Sequence, residues 1–158
     1  MSNLRRILTP FALALSLAAG PALADSSAAD SAAKNKANPD YTLAQQKVDD
    51  GHYADAIVLL EKVLAKDREN ADALNLLGYS NRKLGNNEIA LGHYEAALKV
   101  EPRHRGANEY MGELYLTLGE LAKAEERLEV LDDACFFGCK EYTALKEAIA
   151  DYKAKAGS

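Results

Sequence analysis

The residues best equipped for chemistry are few: two cysteines, Cys135 and Cys139, in the stretch "DDACFFGCKEY", and three histidines, His52, His93 and His104. A thiol pair can exchange electrons, hold half of a metal site, carry a haem or cross-link the fold. Redox pairs favour Cys-x-x-Cys at a helix N-terminus, where the dipole lowers a thiol pKa. Here three residues intervene, and the helical pattern before Cys135 places it at a helix C-terminal end. Haem attachment needs a histidine after the second cysteine, and Lys140 stands there. Zinc needs further ligands, and no histidine is near in sequence. No two histidines lie i, i+4, and no Gly-x-Ser-x-Gly, phosphate loop or His-Glu-x-x-His is present. The histidines therefore read as surface or half-buried groups, and acids such as Glu125, Glu126 and Glu129 as a solvated helix face. The chain is expected to be non-catalytic and to need no cofactor.

The N-terminus bears on the cysteines. Arg5 and Arg6 precede an apolar run over residues 7–19, and Ala22-Leu23-Ala24 closes it. That order describes a secretory signal peptide over residues 1–24, too short in its apolar core to span a bilayer. Secretion across the inner membrane, to the periplasm, is the expectation, with no membrane insertion after cleavage. In an oxidising compartment two lone thiols most simply pair. Helix residues four apart hold their Cβ atoms about 5–6 Å apart, whereas a disulfide needs about 3.5–4.5 Å, so the helix must break between the cysteines, at Gly138. A disulfide staple is expected; a redox or metal-handling accessory protein using the same pair is the alternative. Cleavage removes two arginines and no acid, leaving the chain more acidic than its formal −5. Such a charge repels nucleic acid and anionic lipid. Residues 25–38, small and polar, read as a flexible tether.

The elements that must position any site follow a period of 34. Gly51, Gly85 and Gly119 share it, as do Ala56, Ala90 and Ala124, and Leu60, Tyr94 and Leu128. Three copies fit end to end over 37–70, 71–104 and 105–138. Each carries two helical apolar patterns joined at a glycine, which requires helices folded back antiparallel. Gly78 and Gly112 fall inside first helices, and close approach to Ala90 and Ala124 on the second helices is the expected reason. Residues 139–158 supply a capping helix with Tyr142, Leu145, Ile149 and Tyr152 on one stripe.

The columns Leu77-Gly78, Gly85, Ala90, Tyr94, Ala97-Leu98 and Pro102 resemble the tetratricopeptide repeat. Copy one has Arg68 and copy three Phe136 where copy two has Pro102, so the two phenylalanines after Cys135 read as apolar plugs before the cap. The resemblance implies an all-α, right-handed α-solenoid of about seven helices, whose first helices line a concave, peptide-binding groove. Projected here, that groove is lined by Tyr41, Gln45 and Val48, by Asn75, Tyr79, Arg82 and Lys83, and by Glu109, Tyr110, Glu113 and Leu116. The basic clamp that some members use for C-terminal carboxylates is not reproduced, since Tyr41 and Leu76 occupy two of its places. The reading is an adaptor or scaffold for a protein or peptide partner, with an envelope-assembly role as a variant and the oligomeric state open. Tyr79→Ala and Arg82→Ala are expected to abolish partner binding with melting unchanged.

Overall fold

The computed structural model describes residues 31–136 and 138–157, so the signal peptide falls outside the described residues. From Pro39 onward, the described residues form seven helices in succession: α1 (Pro39–Asp49), α2 (Tyr53–Lys66), α3 (Ala71–Lys83), α4 (Asn87–Val100), α5 (Arg105–Thr117), α6 (Leu121–Ala134) and α7 (Lys140–Ala156). Among the described residues there is no strand. The expected tether over residues 25–38 does not hold for its described part. Residues 31–36 are helical, and Asn35 within them is only 3% exposed. Its amide has partners far along the chain, which local polarity does not reveal.

Each repeat closes by the same device. Gly51, Gly85 and Gly119 take φ of 77°, 81° and 80°, and the N–H after each donates five residues back, to the carbonyls of Lys47, Asn81 and Tyr115. This left-handed closure caps orphan carbonyls and reverses the chain within one turn. First helices start with a side-chain cap: Asn38 accepts from Asp40 N–H, Asn70 from Ala73 N–H and His104 from Ala107 N–H. Second helices start without one. They are held instead by the apolar residues they bury against their partners.

The core runs through the whole stack. Ala44, Ala56, Leu60, Val63, Ala73 and Leu77 form its N-terminal part; Leu74, Tyr94, Met111, Leu114, Leu131, Leu145 and Ile149 belong to the larger C-terminal part. Helix α3 contributes to both, which makes the repeats one continuous body. Adjacent first helices also touch: α1 meets α3, α3 meets α5, and α5 meets α7, while neither α2 and α4 nor α4 and α6 are in comparable contact. An array tighter on one side must curve toward it, so the first helices line the concave face.

The space at the mid-helix glycines is filled differently from the expectation. A Cβ at Gly78 would lie 2.5 Å from the Tyr94 ring, and one at Gly112 would lie 2.6 Å from Leu145 of α7. The nearest neighbours are therefore bulky side chains, Tyr94 at Gly78 and Leu145 at Gly112. Repeat one carries the complementary pair, Ala44 with Leu60, both fully buried. Repeat three has Leu128 in the tyrosine's place, and the cap supplies Leu145 to the glycine cleft.

Candidate peptide-binding groove

Along α3, Asn75, Tyr79 and Arg82 recur at helical spacing; along α5, Gly106, Tyr110 and Glu113 do the same. The two stripes meet as three rungs. At the first, a Cβ on Gly106 would sit 2.9 Å from Asn75 Nδ2. At the second, the Tyr79 and Tyr110 rings are 4.8 Å apart. At the third, Arg82 donates to Glu113 Oε2 at 2.7 Å. The Arg82 guanidinium also lies 5.6 Å from the Tyr79 centroid and 5.7 Å from that of Tyr110, close enough for cation–π attraction.

Two tyrosines from second helices extend this surface. Tyr53, first residue of α2, meets Tyr79 edge-on at 6.1 Å, and Lys83 lies over both rings. Tyr94 of α4 passes over Gly78, its ring 6.5 Å from Tyr110. Its hydroxyl ends buried, close to Arg82, without a hydrogen bond of good geometry, and burial first of all pushes the phenol upward. Tyr110 is likewise raised to about 12, chiefly by burial and then by Glu109. These phenols stay protonated at neutral pH and present faces and hydroxyls, not charge.

The projected residues divide accordingly. Tyr79, Arg82, Lys83, Tyr110 and Glu113 come together, and Asn75 flanks them, only 7% exposed. The Glu109 carboxyl is raised to about 7, by burial first and then by the charges of Glu113 and Glu141, with Lys140 and Arg82 opposing. Tyr41 instead senses Asp72, and Val48 and Leu116 are partly buried against the core. Gln45 is exposed. Sequence projection missed Tyr53, Tyr94 and Glu141 because they stand on second helices or the cap. Glycine at 78 was the one local sign that a large residue crosses there.

His104 departs from its bland reading. It is 8% exposed, accepts Ala107 N–H at Nδ1 and meets Asp72 Oδ1 through Nε2 at 3.0 Å. His93 is half-buried, and desolvation lowers its pKa.

Cys135 and Cys139 form a disulfide with Cα atoms 5.6 Å apart. Helix α6 ends at Ala134, Gly138 takes φ 80°, and α7 begins at Lys140. The break is where the geometry required it. Cys139, however, is the α7 N-cap, its Sγ accepting Tyr142 N–H at 3.4 Å, so the dipole argument made from Cys135 alone does not hold for its partner. Cys135 is 8% exposed, which shields that sulfur from exchange. Phe136 is 92% exposed, and so is no plug; it sits in the loop that the staple turns away from the core. Phe137 lies outside the described residues. Among the described residues no group of three or more His, Cys, Asp or Glu is placed to hold a metal. Cys135→Ser/Cys139→Ser is expected to lower stability by about 2 kcal/mol, the chain-entropy value for so short a loop. Urea denaturation of the variant, beside wild type with and without reductant, checks this; reduced wild type should match the variant.

The chain is similar to proteins of one kind. A family model described as tetratricopeptide repeat matches residues 41–88 and 78–135, together more than half of the chain. The protein CTR9 homolog of Arabidopsis thaliana is 30% identical over 134 aligned residues, covering 72% of this chain but only 12% of that protein's length. The translocator chaperone SycD of Yersinia enterocolitica type III secretion superposes with a TM-score of 0.67 at 22% identity, over 75% of this chain and 84% of SycD. SycD in complex with a peptide of the translocator YopD gives 0.64 at 21% identity, over 74% and 92% of the two chains. Among the described residues no helix is long and apolar enough to cross a membrane.

Proposed function

The chain belongs to the tetratricopeptide repeat family, and from that premise we propose that it is a non-catalytic adaptor that holds an extended peptide segment of a partner protein in the concave groove between α1, α3 and α5. The observation that carries this is the tyrosine wall: the Tyr53 and Tyr110 rings flank Tyr79 with centroids 6.1 and 4.8 Å from it, and the Arg82 guanidinium lies 5.6 and 5.7 Å from the Tyr79 and Tyr110 centroids. Such a wall supplies apolar area with little entropy to lose. SycD, of similar fold, forms a complex with a peptide, which supports a peptide ligand here. The signal-like segment over residues 1–24 supports a periplasmic site of action, and a mature N-terminus at Asp25, read by mass spectrometry, tests it.

Crosslinking in cells through a photoreactive residue at position 79, followed by partner identification, tests the groove. Tyr79→Ala is expected to lower partner affinity more than tenfold, measured on the captured partner's segment by fluorescence anisotropy. Arg82→Ala should do the same, but the expectation of unchanged melting is corrected. The Arg82 side chain is 18% exposed and neutralises Glu113 at 2.7 Å, so its loss should also destabilise by about 1–3 kcal/mol. Retained binding in both variants removes the groove as the site.

A further inference from the structure

Four tyrosines stand in file, with ring centroids 6.1 Å apart for Tyr53 and Tyr79, 4.8 Å for Tyr79 and Tyr110, and 6.5 Å for Tyr110 and Tyr94. The middle contact differs in kind. Two phenol rings joined by one carbon–carbon bond of about 1.5 Å keep their centroids only about half an ångström closer than the Tyr79 and Tyr110 rings already are. The planes of such a joined pair stay twisted, as these are, at 48°. The outer contacts are further from that arrangement, since the edge-on Tyr53 and Tyr79 rings, at 68°, and the Tyr94 and Tyr110 rings would each have to close by well over an ångström. Tyr94 is also fully buried, whereas Tyr79 and Tyr110 are half-buried and within reach of a small oxidant.

We propose that Tyr79 and Tyr110 are an oxidative modification site, at which a small one-electron oxidant joins the two rings through their ortho carbons and so ties α3 to α5. Each ring gives one electron to the oxidant, the two phenoxyl radicals form one carbon–carbon bond, and the ring hydrogens leave as the phenols are restored. Two electrons have then passed to the oxidant and two protons to water. The Arg82 guanidinium, 5.6 and 5.7 Å from the two centroids, disfavours a positive charge left on either ring. Each electron therefore departs together with a proton. The rings are held for coupling from both sides, Tyr79 by Tyr53 and Tyr110 by Tyr94, and a pair fixed in near-product geometry reacts ahead of pairs that must first move. Linkage depends on the rings alone and not on what the groove holds.

Brief illumination of the purified, disulfide-intact chain with tris(bipyridyl)ruthenium(II) and persulfate, which accepts both electrons as it splits into two sulfates, tests this. The expected product is a fluorescent monomer lighter by two hydrogens, formed in a yield independent of protein concentration. Fragmentation of its tryptic peptides should place the link on Tyr79 and Tyr110, about tenfold or more above any link from Tyr53 or Tyr94. Tyr79→Phe and Tyr110→Phe, which keep the rings, should each abolish that link with helicity unchanged, and Tyr53→Phe should leave it. A tie between α3 and α5 restricts the unfolded chain, so the linked monomer should melt above the untreated chain. A linked monomer that melts lower would mean the rings had to be pulled out of place, and overturns the proposal. A link on another tyrosine pair, or one formed only between molecules, overturns it as well. Absence of any link does the same and leaves the groove reading standing.

Discussion

Gly78→Ala is expected to destabilise the protein by about 3 kcal/mol, although alanine is the better helix former by about 1 kcal/mol. The added methyl would stand 2.5 Å from Cε1 and 2.6 Å from Cδ1 of Tyr94. That ring is fully buried, between α3, α4 and the groove tyrosines, so it has no empty space to retreat into. Overpacking of this kind typically costs about 1–3 kcal/mol and forces neighbours off their rotamers. Equilibrium urea denaturation measures the loss, and roughly 10 °C in Tm should accompany it.

The same contact gives a sharper test, because repeat one already shows the alternative solution. Ala44 with Leu60 occupies the positions that Gly78 and Tyr94 occupy in repeat two, and both are fully buried. In a Tyr94→Leu background, Gly78→Ala should therefore change sign and stabilise by up to about 1 kcal/mol, the plain helix-propensity gain. A double variant no better than the Tyr94→Leu single would show that the methyl clashes with something other than the ring. The groove should suffer in either case, since Tyr94 supports Tyr110 from beneath at 6.5 Å. Folding and binding are thus coupled through one glycine.

What the sequence made legible was whatever a column could express locally. The turn glycines are columns because only φ near 80° closes the hairpin there, and the period of their spacing carries the whole solenoid. The groove rungs Tyr79–Tyr110 and Arg82–Glu113 were legible for the same reason, as neighbouring repeats present equivalent positions side by side. Partner choice across the core was not. Small residues at 78 and 90 suggest close helices equally well, and only packing decides that a tyrosine fills one of the spaces. Leu145 at Gly112 comes from the cap, outside the repeat register altogether. Composition failed at Asn35 because an asparagine in a polar stretch looks hydrated, whatever donor lies 35 residues away or acceptor 37 residues away.

That asparagine belongs to a directed chain of hydrogen bonds whose terminus, Asp72, should be the most sensitive polar position in the molecule. Asn70 Oδ1 accepts Ala73 N–H, which orients its amide so that Nδ2 donates to Asn35 Oδ1 at 2.6 Å. Asn35 Nδ2 must then donate onward, and it reaches Asp72 Oδ2 at 2.6 Å. From the other side, His104 spends Nδ1 on Ala107 N–H, so Nε2 carries the proton that meets Asp72 Oδ1. Every orientation is fixed by a helix cap at one end or the other, and both lines converge on one carboxylate. The His104 hydrogen bond holds that carboxylate below its ordinary pKa against the opposing effect of burial, with Asn35 assisting. A depressed acid stabilises the fold above the ordinary aspartate range and loses that contribution as pH falls through its lowered value. Asp72→Ala should cost about 3 kcal/mol, because it strands two buried donors, on Asn35 and His104, at about 1–3 kcal/mol each. Asp72→Asn should cost roughly half as much. The amide keeps one acceptor but turns a donor toward the other partner, and the fixed neighbours cannot flip to accommodate it. Denaturation series between pH 3 and pH 7 separate the cases: wild type should lose stability below about pH 4, and the asparagine variant should lack that component. Nitrogen-detected NMR of the His104 ring should report the Nε2–H tautomer in wild type. A Nδ1–H tautomer would break the chain at its cap and void the prediction. Since Asn35 ties the helical residues 31–36 to the first two repeats and His104 opens the third, the carboxylate is where the N-terminal segment and the array are made into one unit.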